Sequence, residues 1–142
     1  MNAPRTVSAE VALTLVVPGQ ARIPLAATLS YTTGDPYAVT LAIRMPGLAE
    51  PVEWTFAREL LARGLKDRAG IGDVEVRPGD DGSITCIRLS SPFGEASFET
   101  SATGIAGFVL RAYAAVPDGH ETDYMNIDAE LADLRAGGAS QC

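Results

Sequence analysis

Few residues in this chain are equipped for chemistry, and they are scattered. His120 is the single histidine and stands in the polar stretch Asp118 to Asp123, with no serine in a Gly-x-Ser-x-Gly elbow anywhere in the sequence. A hydrolase needs a nucleophile with a base in reach, so a solvated loop histidine is the reading of His120. One histidine and the distant pair Cys86 and Cys142 cannot furnish a nitrogen and sulfur shell for a metal. Asp80 and Asp81 precede Gly82, but no spaced series of oxygen ligands continues as a calcium loop needs, and a charged hairpin turn is expected instead. Gly70, Ile71, Gly72 and Asp73 resemble the start of a phosphate loop, yet the third glycine of Gly-x-Gly-x-x-Gly falls at Glu75, which repels phosphate. Glu95 and Glu99 are a carboxylate pair that nothing in the sequence places around a sugar. The expectation is a protein without catalysis, metal or cofactor.

The composition narrows the partner. The 142 residues carry 18 acidic and 11 basic side chains, a net charge of −7, and such a surface repels the phosphates that dominate nucleic-acid affinity. The nine aromatic residues leave few for a base-stacking platform, because Tyr37, Trp54 and Phe56 alternate as buried strand residues do. The longest stretch without a charged side chain, Ile23 to Gly34, is 12 residues, short of the roughly 20 that a spanning helix requires. Glu10 heads the apolar run Val11 to Val17, which argues against a signal peptide, and a bridge from Cys86 to the terminal Cys142 would tie core to tail. A reduced, cytoplasmic protein is expected.

The elements that must position these residues follow from periodicity. Val7, Ala9, Val11, Leu13, Leu15 and Val17 occupy one face of a first strand, and Ile23, Leu25, Ala27 and Leu29 repeat the period of two after the Pro18–Gly19 turn. A third strand runs over Tyr37 to Met45 and a fourth carries Val52, Trp54 and Phe56. The period then changes to a short helix over Ala57 to Leu65, with Lys66 to Gly72 as loop. Val74 and Val76 pair with Ile84, Cys86, Ile87 and Leu89 as a hairpin turned by Gly79 to Gly82, and Ala96 and Phe98 give a further strand. Ile105, Phe108, Val109, Ala112 and Tyr113 mark a helix over Ser101 to Ala115, weakened by Gly104 and Gly107, and Ile127, Leu131 and Leu134 mark a last one over Asp128 to Ala136. The fold class is α+β, a strongly curved antiparallel sheet of about seven strands with two longer helices and one short one. Residues 1–136 form a single domain and 137–142 a tail, and the order of strands then helix, twice over, suggests a doubled unit.

An ordered set of motifs spans most of the chain. It begins with Tyr31-x-x-x-Asp35-Pro36-Tyr37-Ala38-Val39 and Val52-Glu53-Trp54-x-Phe56-Ala57-Arg58-Glu59-Leu60-Leu61-x-x-Gly64. It continues with Gly70-x-Gly72-Asp73-Val74-x-Val76 and Leu89-Ser90-Ser91-Pro92-x-Gly94-Glu95-Ala96, and ends with Val116-Pro117-x-Gly119-x-Glu121 and Asp128-x-Glu130-Leu131. In these residues the chain resembles the SsgA-like sporulation and cell division proteins of actinobacteria, nearest the branch that recruits the division machinery, although Ala9 stands where recruiter-like members often have cysteine.

The resemblance implies a whirly-like fold, assembly as a homotrimer, and action through protein contacts: a non-catalytic adaptor in sporulation septation that helps recruit or position the tubulin-like protein FtsZ, together with sibling family members, at division septa. The alternative is a single-stranded nucleic-acid binder, because whirly-like sheets serve that purpose elsewhere and fold alone does not fix function. Apolar residues on two faces of a strand, Val16 beside Leu15 and Ile87 between Cys86 and Leu89, favour an oligomer. Most motif residues suit turns and core; Arg58 and Glu59 are the candidates for an exposed helical face that meets a partner, and reversing the charge of Arg58 is expected to disturb that contact while leaving burial intact.

Overall fold

The computed structural model describes residues 4–19 and 21–124. Four strands come first, β1 (Thr6–Val16), β2 (Ile23–Thr32), β3 (Ala38–Ile43) and β4 (Val52–Ala57), followed by the short helix α1 (Arg58–Arg63). Four more follow, β5 (Ala69–Ile71), β6 (Val74–Pro78), β7 (Ile84–Ser91) and β8 (Gly94–Ser101), and then the longer helix α2 (Ala102–Ala115). All eight join one antiparallel sheet in the order β4-β3-β2-β1-β8-β7-β6-β5. Each half is a meander ending in a helix, and the halves meet where Thr14, Leu15 and Val16 pair with Glu99, Phe98 and Ser97. The doubled unit foreseen in the strand and helix order is therefore the architecture of the sheet.

The sheet curls into a half-barrel. In a flat sheet β3 and β7 would stand about 19 Å apart, four strand spacings, yet Ile43 of β3 and Leu89 of β7 line one cleft of about 230 Å³. The inner face carries Val11, Leu13, Leu29, Leu41, Ile43, Val76, Ile87 and Phe98, and α2 lays Ile105, Phe108, Val109 and Ala112 against it. The outer face holds small and polar side chains over β1 to β4. Over β6 to β8 it carries ion pairs of Arg68 and Arg88 with Glu75, and Arg22 of the β1–β2 turn reaches Glu99.

Several sequence expectations change. The stretch Lys66 to Gly72 contains a strand, β5, because Ala69 to Ile71 pair with Val76 to Val74 across the Gly72 turn (φ +62°). Three residues, one of them glycine, carry no readable alternation. Ile87 belongs to the core and Cys86 to the outer face, since Thr85, Ile87 and Leu89 share the inner side of β7. Ile87 is thus not an outward apolar residue. Tyr37 precedes β3 and is 46% exposed, so it does not share the burial of Phe56. Residues 121–124 form a helical turn; the helix expected over 128–136 and the tail at 137–142 lie outside the described residues.

Candidate functional site: a buried arginine hub and an open apolar seam

The α1 motif turns inward. Arg58 is 2% exposed, and Leu60 and Leu61 are buried beside it, while Glu59 and Arg63 face solvent. The expectation that Arg58 lies on an exposed face is corrected. Position 58 is one helical step of three from Leu61, so it points to the same interior side. Glu59 alone of the candidate pair is available to a partner.

Burying a guanidinium requires partners for its donors, and both terminal nitrogens of Arg58 have them. Arg58 Nη1 donates to the Val116 carbonyl at 2.7 Å, the Ala112 carbonyl at 3.0 Å and the Tyr31 hydroxyl at 3.1 Å. Arg58 Nη2 donates to Glu121 Oε2 at 2.8 Å, and the guanidinium stacks 3.7 Å over the Tyr113 ring. Tyr31 in turn donates to the Pro36 carbonyl at 3.0 Å, which ties the Asp35–Pro36 turn to the hub. Glu121 accepts a second bond from the Gly119 amide at 2.9 Å.

The hub performs a definite structural task. The last turn of α2 has no basic residue of its own, although a helix C-terminus leaves carbonyls unmet and favours a cation. Arg58 meets the carbonyl of Val116, the residue after α2, and adds a second donor to that of Ala112, which also accepts from the Val116 amide, while Arg5, ahead of β1, donates to that of Ala115 at 3.0 Å. Burial pushes the Tyr31 and Tyr113 phenols above their usual range, so both remain neutral. Burial opposes ionisation of Glu121, but the hydrogen bonds from its own amide, Arg58 and Gly119 outweigh it and leave the carboxyl below the usual glutamate range. No helical or strand pattern relates residues 31, 58 and 121, and the signal available was their presence in three separate motifs.

The opposite end of the half-barrel is open. A cleft of about 230 Å³ lies between Ile43, Met45, Val52 and Trp54 on one side and Leu89, Phe93, Ala96 and Phe98 on the other. Phe93, at the tip of the β7–β8 hairpin, is fully exposed; Val52, which lines the cleft, is 37% exposed, and Leu48, between β3 and β4, is 58% exposed. Sequence reading placed Trp54 in the core. It is half-buried, standing on the edge strand β4 and lining the cleft.

The remaining chemical candidates do not converge. His120 is exposed and its Nδ1 lies 3.3 Å from Asp123 of the same turn. Asp81 accepts bonds from the Ser83 amide and hydroxyl and shapes the β6–β7 turn, as its sequence suggests. Glu95 and Glu99 sit on β8, bridged to Arg88 and Arg22 respectively. Among the described residues no cluster of histidine, cysteine, aspartate and glutamate could hold a metal ion, and no helix is long and apolar enough to cross a membrane.

What the described residues build is a folded surface, rigidly pinned at one end and apolar at the other, of the kind that meets other proteins. Residues 25–121 match the family model for the Streptomyces sporulation and cell division protein SsgA. The chain is 50% identical over 135 residues to the sporulation-specific cell division protein SsgB of Frankia casuarinae, covering 94% of each chain. With SsgB of Streptomyces coelicolor it shares 45% over 133 residues, 92% of this chain and 96% of that one. The crystal structure of an SsgA-like sporulation-specific cell division protein from Thermobifida fusca superposes with a TM-score of 0.87 at 43% identity, covering 94% of this chain and 98% of that one. The chain belongs to the SsgA-like family of sporulation and cell division proteins, in its SsgB branch.

Proposed function

We propose that this chain is a non-catalytic adaptor of sporulation septation that helps recruit or position FtsZ at septal sites. The observation that carries the reading is family membership over nearly the whole chain, at 50% identity to a sporulation-specific cell division protein. A role in cell division during sporulation comes with that membership. The recruiting role is supported by a surface with exposed apolar side chains at the seam and by the absence, among the described residues, of converging reactive groups. Sibling family members are further partners, and the adaptor acts as a homotrimer concentrated at septa, without metal or cofactor. Glu59, exposed on α1, is the candidate contact there, and Arg58 serves it by holding α1 in place.

The test combines purified chain and purified FtsZ in co-sedimentation, with a fluorescent fusion followed in sporulating cells. Binding together with septal bands is the expected result; a chain that neither pellets with FtsZ polymers nor concentrates at septa refutes the adaptor reading. Light scattering should give three times the 14.9 kDa chain mass, and a monomer throughout refutes the trimer. Labelled single-stranded DNA should fail to bind even at low salt, where charge attraction is least screened.

A further inference from the structure

One edge of the sheet is built differently from the other. The β5 edge is three residues long and includes Gly70, a short edge of the kind that resists further pairing. The β4 edge has six residues, Val52–Ala57, with no proline within it. Among the described residues no backbone hydrogen bond reaches its outer side.

The register shows which groups are free. The Arg58 amide donates to the Tyr37 carbonyl at 2.7 Å, one step beyond the Ala57–Ala38 pair. Antiparallel pairs alternate between bonded and unbonded, so Val52, Trp54 and Phe56 turn their amides to β3, and Glu53 and Thr55 turn theirs outward. The Thr55 and Thr40 hydroxyls lie 3.2 Å apart, as facing side chains of an unbonded pair do.

Two clefts flank that edge, and Trp54 lines both. The first is the seam cleft described above; the second, about 270 Å³, lies between Phe56 and Leu60 on one side and Asp73 and Val74 on the other. Among the described residues their lining includes the carboxylates Glu95 and Asp73 and no Lys, Arg or His, and Glu53 stands on the edge strand itself. Glu53 and Asp73 make no ion pair among the described residues, and Glu95 has Arg88 only at 3.8 Å. The chain's own residues 125–142 carry Asp128, Glu130 and Asp133 against Arg135, the same sign as the clefts.

We infer that the β4 edge takes an extended segment of a partner protein as a ninth strand, with alternate apolar side chains entering the clefts on either side of Trp54 and basic residues flanking them. Main-chain bonds to Glu53 and Thr55 supply affinity, and the clefts and carboxylates supply selectivity. The inference rests on the reading of this chain as a protein-binding adaptor and is independent of FtsZ as the partner.

The probe is a fluorescent peptide, Lys-Lys-Val-Thr-Ile-Thr-Val-Lys-Lys, titrated into the purified full chain and read by anisotropy. Saturable binding is expected, weakened about tenfold or more when glutamates replace the lysines or when the apolar residues are respaced for a helix. Hydrogen exchange at the Glu53 and Thr55 amides should slow on binding, with Val52 and Trp54 unchanged. Thr55→Pro removes an outward amide and leaves the β3 ladder, so it should abolish binding at an unchanged melting temperature. If that variant melts early, the exchange measurement on the unaltered chain decides. Absence of binding, equal binding of the helix-spaced peptide, or binding without protection at Glu53 and Thr55 overturns the inference. Concentration-dependent self-association that protects those amides without peptide would give the edge to a second copy and overturn it equally. Because FtsZ is not in the assay, failure here leaves the co-sedimentation result standing.

Discussion

Replacing Arg58 by methionine tests the hub directly. The substitution keeps a long apolar stem of similar reach and removes the guanidinium, leaving Glu121 with the Gly119 amide as its remaining partner outside its own backbone. Among the described residues the Val116 carbonyl then has no donor, whereas the Ala112 carbonyl still accepts from the Val116 amide at 3.1 Å. Breaking a buried pair from one side costs about 3–5 kcal/mol, and part of that range already contains the loss of a cation at a helix C-terminus. A destabilisation of about 4 kcal/mol is expected, a large share of the 5–15 kcal/mol typical of a domain. It corresponds to a fall in melting temperature of roughly 15 °C at this chain length. Urea denaturation followed by circular dichroism measures it. Pairing Arg58→Met with Glu121→Leu should recover about 2 kcal/mol, because the stranded carboxylate goes too. Arg58→Glu should be worse than Arg58→Met, since it sets a second carboxylate against Glu121; loss of partner binding in that variant would report unfolding and not a broken contact. A change below about 1 kcal/mol for Arg58→Met, or no recovery in the double variant, would refute the reasoning.

Other expectations concern the fold around the hub. A Cβ at Gly64 would run into the Val76 side chain and stand 3.0 Å from its backbone, so Gly64→Ala should cost about 1–3 kcal/mol by overpacking. Gly107 on the exposed side of α2 meets nothing within 4 Å, and Gly107→Ala should stabilise by about 0.5–1 kcal/mol through helix propensity; chemical denaturation of the two variants should give opposite signs. Among the described residues the buried Thr85 hydroxyl has no partner, so Thr85→Val should be neutral or stabilising in a thermal melt. Glu121 titrates below the ordinary glutamate range, so its contribution is complete above about pH 4.5 and is lost as pH falls through its lower folded value. In Glu121→Gln the acid limb of a stability profile should therefore be shallower than in the unaltered chain.

Sequence alone determined the local structure wherever a side chain's burial depends on its own strand or helix. The period of two over Val11 to Leu15 and Leu25 to Leu29, and the period near 3.6 over Ile105 to Ala112, state which face is apolar, and the structure buries those faces. The ordered motifs from Tyr31 to Glu121 identified the family because each constrains a turn or packing position, and together they have one arrangement. Tertiary structure decided what no period encodes. β5 is too short to alternate and exists because β6 offers it a ladder. The inner side of Cys86–Ile87 depended on the register with β8, where Cys86 faces Glu99 and Ile87 faces Phe98. Arg58 looked like a surface charge because a guanidinium is costly to bury; its carboxylate partner stands 63 residues away, and its carbonyls belong to a helix end that only the curled sheet delivers. The same curl sets Trp54 of β4 opposite Leu89 and Phe93 of the β7–β8 hairpin, so the apolar seam is a product of curvature, which the linear pattern of either strand does not contain.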